Sequence, residues 1–170
     1  MAKTSHLRDF QVYLADRLSA ANQAAGAEHW LAVQAGEENW LIELPDSGEI
    51  VQGAALTPVP LTPAWFCGLA NVRGRLFAVS DLAQWRGAPA TPPGAKSRLV
   101  LVGARHGVNV ALRVSALQGL RSPQDFQPAV DTVPLPAWVE RVLTDARGER
   151  WYKLSVRALL ADRDFMTIGM

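Results

Sequence analysis

The sequence predicts a mostly β protein built of two small barrel-like lobes of about five strands each, and three observations lead there. Apolar and polar residues alternate in short runs, turn-forming residues interrupt those runs at regular intervals, and the second half of the chain repeats the first in degraded form. No strand-helix-strand spacing points to a doubly wound sheet. At 170 residues, 49% of them hydrophobic, the chain can fill one sizeable core or two lobes that share one. Each half alone, at about 60 residues, would bury too little surface to be comfortably stable. Packing lobe on lobe remedies that and leaves a groove between them, a preferred place for partners to bind.

The elements follow in order. Residues 1–28 form an N-terminal extension in which Leu7, Phe10, Leu14, Leu18 and Ala21 recur at spacings of three and four, an amphipathic helix from Leu7 to Ala24 with Gly26 as its stop. The remainder, 29–170, reads as one domain, with a first lobe at about 29–87, a linker at 88–97 and a second lobe at about 98–163. Leu31 and Val33, a turn at Ala35-Gly36-Glu37-Glu38, and Trp40, Ile42 and Leu44 make a hairpin. Pro45-Asp46-Ser47-Gly48 turns the chain into a third strand, Glu49-Ile50-Val51-Gln52. Pro58, Pro60 and Pro63 each delete a backbone donor, so that stretch is a loop or a sheet edge. Ala64 to Leu69 is expected as a short helical turn, and Leu76-Phe77-Ala78-Val79 as a strand. Asp81 is placed to cap a short helix that Gly87 ends, and the proline-rich Ala88 to Ala95 has no side chains to build a core.

Beyond the linker the pattern begins again. Arg98-Leu99-Val100-Leu101-Val102, a turn at Ala104-Arg105-His106-Gly107, and Val108 to Leu112 form a second hairpin, and an offset of 68 carries Leu31, Val33, Ile42 and Leu44 onto Leu99, Leu101, Val110 and Leu112. Pro60-Leu61-Thr62-Pro63-Ala64-Trp65 is echoed by Pro134-Leu135-Pro136-Ala137-Trp138, and Arg73-Gly74 returns as Arg147-Gly148, read as a polar structural turn. Phe77 corresponds to Trp151 and the capping Asp81 to Ser155, which precedes a second helix from Val156 to about Ala161.

Several function classes find no support. The charge of +1, from 17 basic and 16 acidic residues, creates no long-range field toward nucleic acid or an anionic membrane. The single Cys67 cannot form an internal disulfide, no apolar leader follows Met1, and no apolar run reaches membrane-spanning length, so a reducing cytoplasmic location is expected. His6, His29 and His106 lie in unrelated segments without metal-ligand spacing and read as turn or surface residues. Cys67, with no cationic sequence neighbour, reads as a small buried hydrophobe. Val79-Ser80-Asp81 lacks the glycines of a nucleophile elbow, and Gly68, Gly74 and Gly87 form no phosphate loop. No catalytic residue, cofactor or metal is therefore assigned. Trp30, Trp40, Trp65, Trp138 and Trp151 fall within or beside apolar runs and read as core. The alternative function is a small-barrel nucleic-acid binder using Arg73, Arg75 and Arg86 near Phe77 and Trp85. Three arginines without a basic excess would release few counterions.

Asn71 and Gly74 in Asn71-Val72-Arg73-Gly74 suit a tight reversal of the chain, but a turn does not need the long side chain of Arg73. A guanidinium is well matched to a partner's carboxylate or carbonyl groups. The longer segment Gly68-Leu69-Ala70-Asn71-Val72-Arg73-Gly74-Arg75-Leu76-Phe77-Ala78-Val79-Ser80-Asp81-Leu82 resembles the most distinctive stretch of the CheW family of chemotaxis adaptors, Gly-x-x-Asn-Leu/Val-Arg-Gly-x-x-x-x-Val-x-Asp-Leu. The order of hairpin, third strand, proline loop, motif, linker and second copy also matches. Trp65-Phe66-Cys67 before the motif, after Pro58-Val59-Pro60-Leu61 and a helical extension, looks most like the branch serving type IV pili and twitching motility.

The resemblance implies two intertwined five-stranded SH3-like barrels and no catalysis. It implies an adaptor between the cytoplasmic tip of a methyl-accepting chemoreceptor and a CheA-like histidine kinase, cytoplasmic but recruited to membrane-associated receptor arrays without inserting. It places Arg73, with Asn71, Val72 and Gly74, at the receptor-facing groove, and Glu49 and Ile50 along it. The kinase would use a hydrophobic face of the first barrel. One departure is Arg113-Val114-Ser115, where the family often carries an acidic residue.

Overall fold

The computed structural model of the protein describes residues 28–169, so the helix expected from Leu7 to Ala24 lies outside the described residues. The first half contains β1 (Trp30–Ala35), β2 (Glu38–Glu43), β3 (Ser47–Val51), β4 (Leu56–Thr57), β5 (Phe66–Val72), β6 (Arg75–Asp81) and the short helix α1 (Leu82–Trp85). The second contains β7 (Arg98–Val102), β8 (Val110–Val114), β9 (Ala116–Arg121), β10 (Phe126–Pro128), β11 (Val139–Asp145), β12 (Arg150–Leu154), α2 (Val156–Ala161) and α3 (Arg163–Met166). Asp81 caps α1 by accepting from the Ala83 and Gln84 amides, and Ser155 caps α2 by accepting from Ala158, as their positions predict.

The strands form two six-stranded sheets, β10-β11-β12-β2-β1-β9 and β3-β7-β8-β6-β5-β4. Each sheet therefore takes four strands from one half of the chain and the hairpin of the other, and the exchanged hairpin attaches through a parallel pairing, β12 with β2 and β6 with β8. The expected count of five is low by one, because the short β4 and β10 pair at sheet edges. The duplication extends to single hydrogen bonds. The Asp81 amide donates to the Trp65 carbonyl and the Ser155 amide to that of Trp138, both at 2.8 Å. Phe66 donates to Pro63 and Val139 to Pro136, both at 3.0 Å.

Three expectations are corrected. Ala64 to Leu69 forms no helical turn: Phe66, Gly68, Ala70 and Val72 are buried on one face of β5 with a period of two. Small residues at alternate positions carry little hydrophobic signal, but here they admit a neighbouring strand. A Cβ on Gly68, whose φ is +117°, would lie 2.1 Å from the Thr57 carbonyl oxygen. The offset of 68 between the hairpins is also wrong, and by an odd number for β1 and β7. Leu31 packs between the sheets with Val100, whereas Leu99 packs inside the second sheet with Phe77 and Val79. Trp30 and Ala32 are the counterparts of Leu99 and Leu101, because a one-residue slip exchanges the faces of a strand. Finally, the linker is anchored: buried Thr91 donates to the Asp81 carboxylate from its amide at 2.7 Å and from its hydroxyl at 2.9 Å.

The core between the sheets joins Leu31, Val33, Trp40 and Ile42 to Val100, Val102, Leu112 and Val114. It continues through Trp138, stacked on Trp40 with centroids 5.8 Å apart, to Phe165 of α3, which stacks on Trp65 at 5.6 Å. Among the described residues, no helix is long and apolar enough to cross a membrane.

Candidate functional site

β5 and β6 are joined by the tightest kind of hairpin turn. Val72 pairs with Arg75, leaving Arg73 and Gly74 as the two loop residues, with φ of +52° and +80°. Positive φ at both positions is the primed turn whose twist suits two adjacent strands. The sequence expectation that Asn71 supplies an unusual backbone conformation is corrected: Asn71 stays in β5, and its side-chain oxygen accepts from the Gly74 amide at 2.9 Å. Left-handed backbone falls instead on Arg73, where a side chain costs about 1–2 kcal/mol. Among the described residues only Leu61 and Arg73 adopt it without being glycine. Arg73 is held there although its side chain is 80% exposed, and its guanidinium meets the Glu49 carboxylate at 3.0 Å.

These two charges stand at the mouth of a cleft of about 300 Å³. Its apolar surface comes from Val72, Phe77, Leu101, Val102 and Val108, and its polar rim from Glu49, Arg73, Arg75 and Asn109. Arg75 donates to the Asn109 side chain at 2.8 Å and lies over the Phe77 ring. The cleft lies on the sheet β3-β7-β8-β6-β5-β4, where the exchanged hairpin brings residues of both halves of the chain around it. Val72, Arg73 and Glu49 come together around it, Asn71 and Gly74 shape the turn, and Ile50 points away to pack against the core between the sheets. Leu101, Val102, Ala104, Val108 and Asn109 were not singled out from sequence. The hairpin exchange brings them here from the second half.

The cleft's second-half wall is tied down at its base. The buried Asp46 carboxylate accepts from Arg105 Nε at 2.8 Å, is contacted by a second Arg105 nitrogen, and lies 2.6 Å from His106 Nε2. His106, expected as a turn or surface residue, sits in a turn with only 12% of its side chain exposed. A further buried cation, Lys153, reaches Glu43 at 2.7 Å and Glu140 at 3.1 Å and lies over the Trp30 ring.

Cys67 is half-buried, and a cation does stand near it in space, Arg113. Burial, reinforced by the Asp81 carboxylate, pushes its thiol up despite that guanidinium. The arginines of the nucleic-acid alternative are divided between sheets. Arg86 pairs with Glu38 at 3.4 Å and covers the Tyr152 ring, both on strands of the other sheet. Among the described residues no cluster of three or more His, Cys, Asp or Glu could hold a metal ion.

Comparison with known proteins agrees with this architecture. The CheW-like domain matches residues 29–164. Protein PilI of Pseudomonas aeruginosa is 28% identical over 164 residues, covering 92% of this chain and 89% of its own. Chemotaxis protein CheW of Rhizobium meliloti is 25% identical over 115 residues, covering 66% of this chain and 74% of its own. The crystal structure of the scaffolding protein TtCheW from Thermoanaerobacter tengcongensis shares the fold, with a TM-score of 0.66 at 21% identity, covering 81% of this chain and 94% of that one.

Proposed function

Because the chain belongs to the CheW-like domain family, we propose that it is a non-enzymatic adaptor that couples a methyl-accepting chemoreceptor to a CheA-like histidine kinase in a system controlling type IV pili. The pilus assignment draws on the similarity to PilI along most of both chains. One observation carries the rest: Arg73 stands exposed on a costly backbone conformation at the rim of an apolar cleft. Strain kept in an exposed turn that does not need an arginine side chain is a mark of a binding position. The receptor's cytoplasmic tip presents apolar side chains to the cleft and an acidic or carbonyl oxygen to Arg73, taking over from Glu49. Ile50 supports β3 from behind and does not touch the partner.

An adaptor stabilises no transition state. It holds receptor and kinase so that a change of receptor conformation biases the kinase equilibrium. Contacts of about 8 kcal/mol, the strength of a micromolar site, suffice when they are combined in an array. The protein works in the cytoplasm and reaches the membrane only through its receptor. Co-sedimentation of Arg73→Glu with receptor-bearing membranes tests the reading: a folded variant is expected to stay in the supernatant. Undiminished co-sedimentation overturns it.

A further inference from the structure

The wall of the cleft formed by residues 103–109 is a connection between strands, and such a segment keeps its place only if its polar groups are tied. Its far end is fixed from β6. Arg75 donates to the Asn109 side chain at 2.8 Å, and the Ala78 amide donates to the Asn109 carbonyl at 2.9 Å. Its near end is fixed by Asp46. The Gly103 amide donates to the Asp46 carbonyl at 2.8 Å, while the Asp46 carboxylate takes Arg105 and His106 together. The two segments lie so close that a Cβ on Gly103 would come within 2.6 Å of the Pro45 carbonyl oxygen. Asp46, Arg105 and His106 do not line the cleft, but Ala104, Val108 and Asn109 do.

We propose that Asp46 is a positioning residue for the cleft: its buried carboxylate, clamped on Arg105 and His106, sets the distance of the 103–109 wall from the Arg73 turn and so the cleft's fit to its partner. The inference rests on the reading of the cleft as the receptor site. Asp46 contributes nothing that a partner touches. Its side chain is 8% exposed, and its effect reaches the partner only through the wall. Two anchored ends also explain how a loop with exposed residues, Ala104 and Arg105 among them, serves as one side of a recognition surface.

The test uses the full chain carrying Asp46→Asn, which keeps shape but removes the charge that holds Arg105. Affinity for a soluble receptor cytoplasmic fragment is measured by calorimetry beside amide hydrogen exchange and a thermal melt. The expected result is a cooperative melt, faster exchange confined to residues 103–109, and a Kd raised about tenfold, within the usual range for coupled neighbours. Arg105→Lys restores a cation and should bind within about threefold of wild type, whereas Arg105→Ala should follow Asp46→Asn. If Asp46→Asn does not fold, this arginine pair decides the matter, since Arg105 has a half-exposed side chain. Loosened exchange at 103–109 with unchanged affinity overturns the positioning role. Arg73→Glu in the same assay separates the two ideas. If it weakens binding and the Asp46 and Arg105 variants do not, the positioning role fails alone; if it does not weaken binding, the cleft is not the receptor site.

Discussion

Arg73 offers an unusual separation of binding from stability, through the substitution Arg73→Gly. At φ +52° the arginine backbone costs about 1–2 kcal/mol that glycine does not. Against that relief stand the lost ion pair with Glu49, and the added freedom of glycine in the unfolded chain. The pair is exposed at 80% and 40%, so it contributes about 0.5 kcal/mol. The glycine entropy costs about 0.5–1 kcal/mol. These terms nearly cancel, and for a domain of this size a net change under about 0.5 kcal/mol moves Tm by less than about 2 °C. Binding has no such compensation. A receptor that buries Arg73 at the cleft, as proposed, loses about 2 kcal/mol or more with that contact, roughly a thirtyfold rise in Kd. Thermal denaturation and titration with a receptor cytoplasmic fragment measure the two quantities on one sample. A variant that melts with the wild type and binds like it refutes the role of Arg73. One that melts more than about 5 °C lower refutes the account of the turn.

Gly68→Ala should destabilise by more than about 3 kcal/mol in chemical denaturation, because a Cβ at φ +117° collides with the Thr57 backbone; a loss below about 1 kcal/mol would mean β4 can move aside. Lys153→Met should cost about 1–3 kcal/mol at neutral pH by taking the buried cation from Glu43 and Glu140, each of which keeps a more exposed arginine, Arg105 at 4.0 Å and Arg141 at 3.6 Å. Burial pulls Lys153 down, but its hydrogen bonds to those carboxylates prevail and hold its pKa above 10.5. A raised folded pKa means the stabilisation is complete below 10.5 and fades as pH rises through the folded value, so the gap between wild type and variant should be flat from pH 6 to 9 and shrink above about 10.5. A gap that widens there contradicts this sign. Cys67, its thiol pushed up by burial, should react with a thiol reagent at pH 7 far more slowly in the native protein than in urea; equal rates would mean that the strand exposes it.

Most elements of the fold were legible because alternation and turn residues mark strands locally. β1 and β2, and the caps at Asp81 and Ser155, fall where the sequence places them. β5 was not legible, since Gly68 and Ala70 bury one face of a strand without adding hydrophobic signal. The hairpin exchange leaves no local trace at all: which half receives a hairpin is a question of tertiary pairing, and β2 and β8 would alternate the same way in either lobe. Arg73 was singled out from the chain, Glu49 only through the family resemblance, and Val108 and Asn109 by neither. Ile50 was misplaced for the opposite reason. It neighbours Glu49 in a strand, and neighbours in a strand face opposite ways.

The duplication also sets a second turn beside the site for comparison. Asn109 and Asn39 occupy matching positions, each one residue before the parallel pairs Ala78 with Val110 and Tyr152 with Trp40. In the first-half turn Arg73 and Gly74 are both left-handed, Asn109 ties Arg75, and Glu49 meets Arg73 at the mouth of an apolar cleft. In the second-half turn Arg147 lacks the positive φ, and Asp145 takes the Arg147 and Glu149 amides and the Trp151 indole into its own carboxylate. There Asn39 is engaged by Gln118 at 3.0 Å, and the bulge that holds Gly48-Glu49 in β3 is matched by Gln118-Gly119 in β9, with no acid. The two turns close different kinds of hairpin: Arg73 and Gly74 alone link Val72 to Arg75, whereas Ala146, Arg147 and Gly148 link Asp145 to Glu149, whose carbonyl accepts from the Asp145 amide at 3.1 Å. The strained arginine and its carboxylate occur in only one of the two. The shorter loop accounts for the left-handed backbone of Arg73, and the longer one for its absence at Arg147; what loop length leaves unexplained is the choice of an exposed arginine side chain, paired with Glu49, at a position where glycine would cost less.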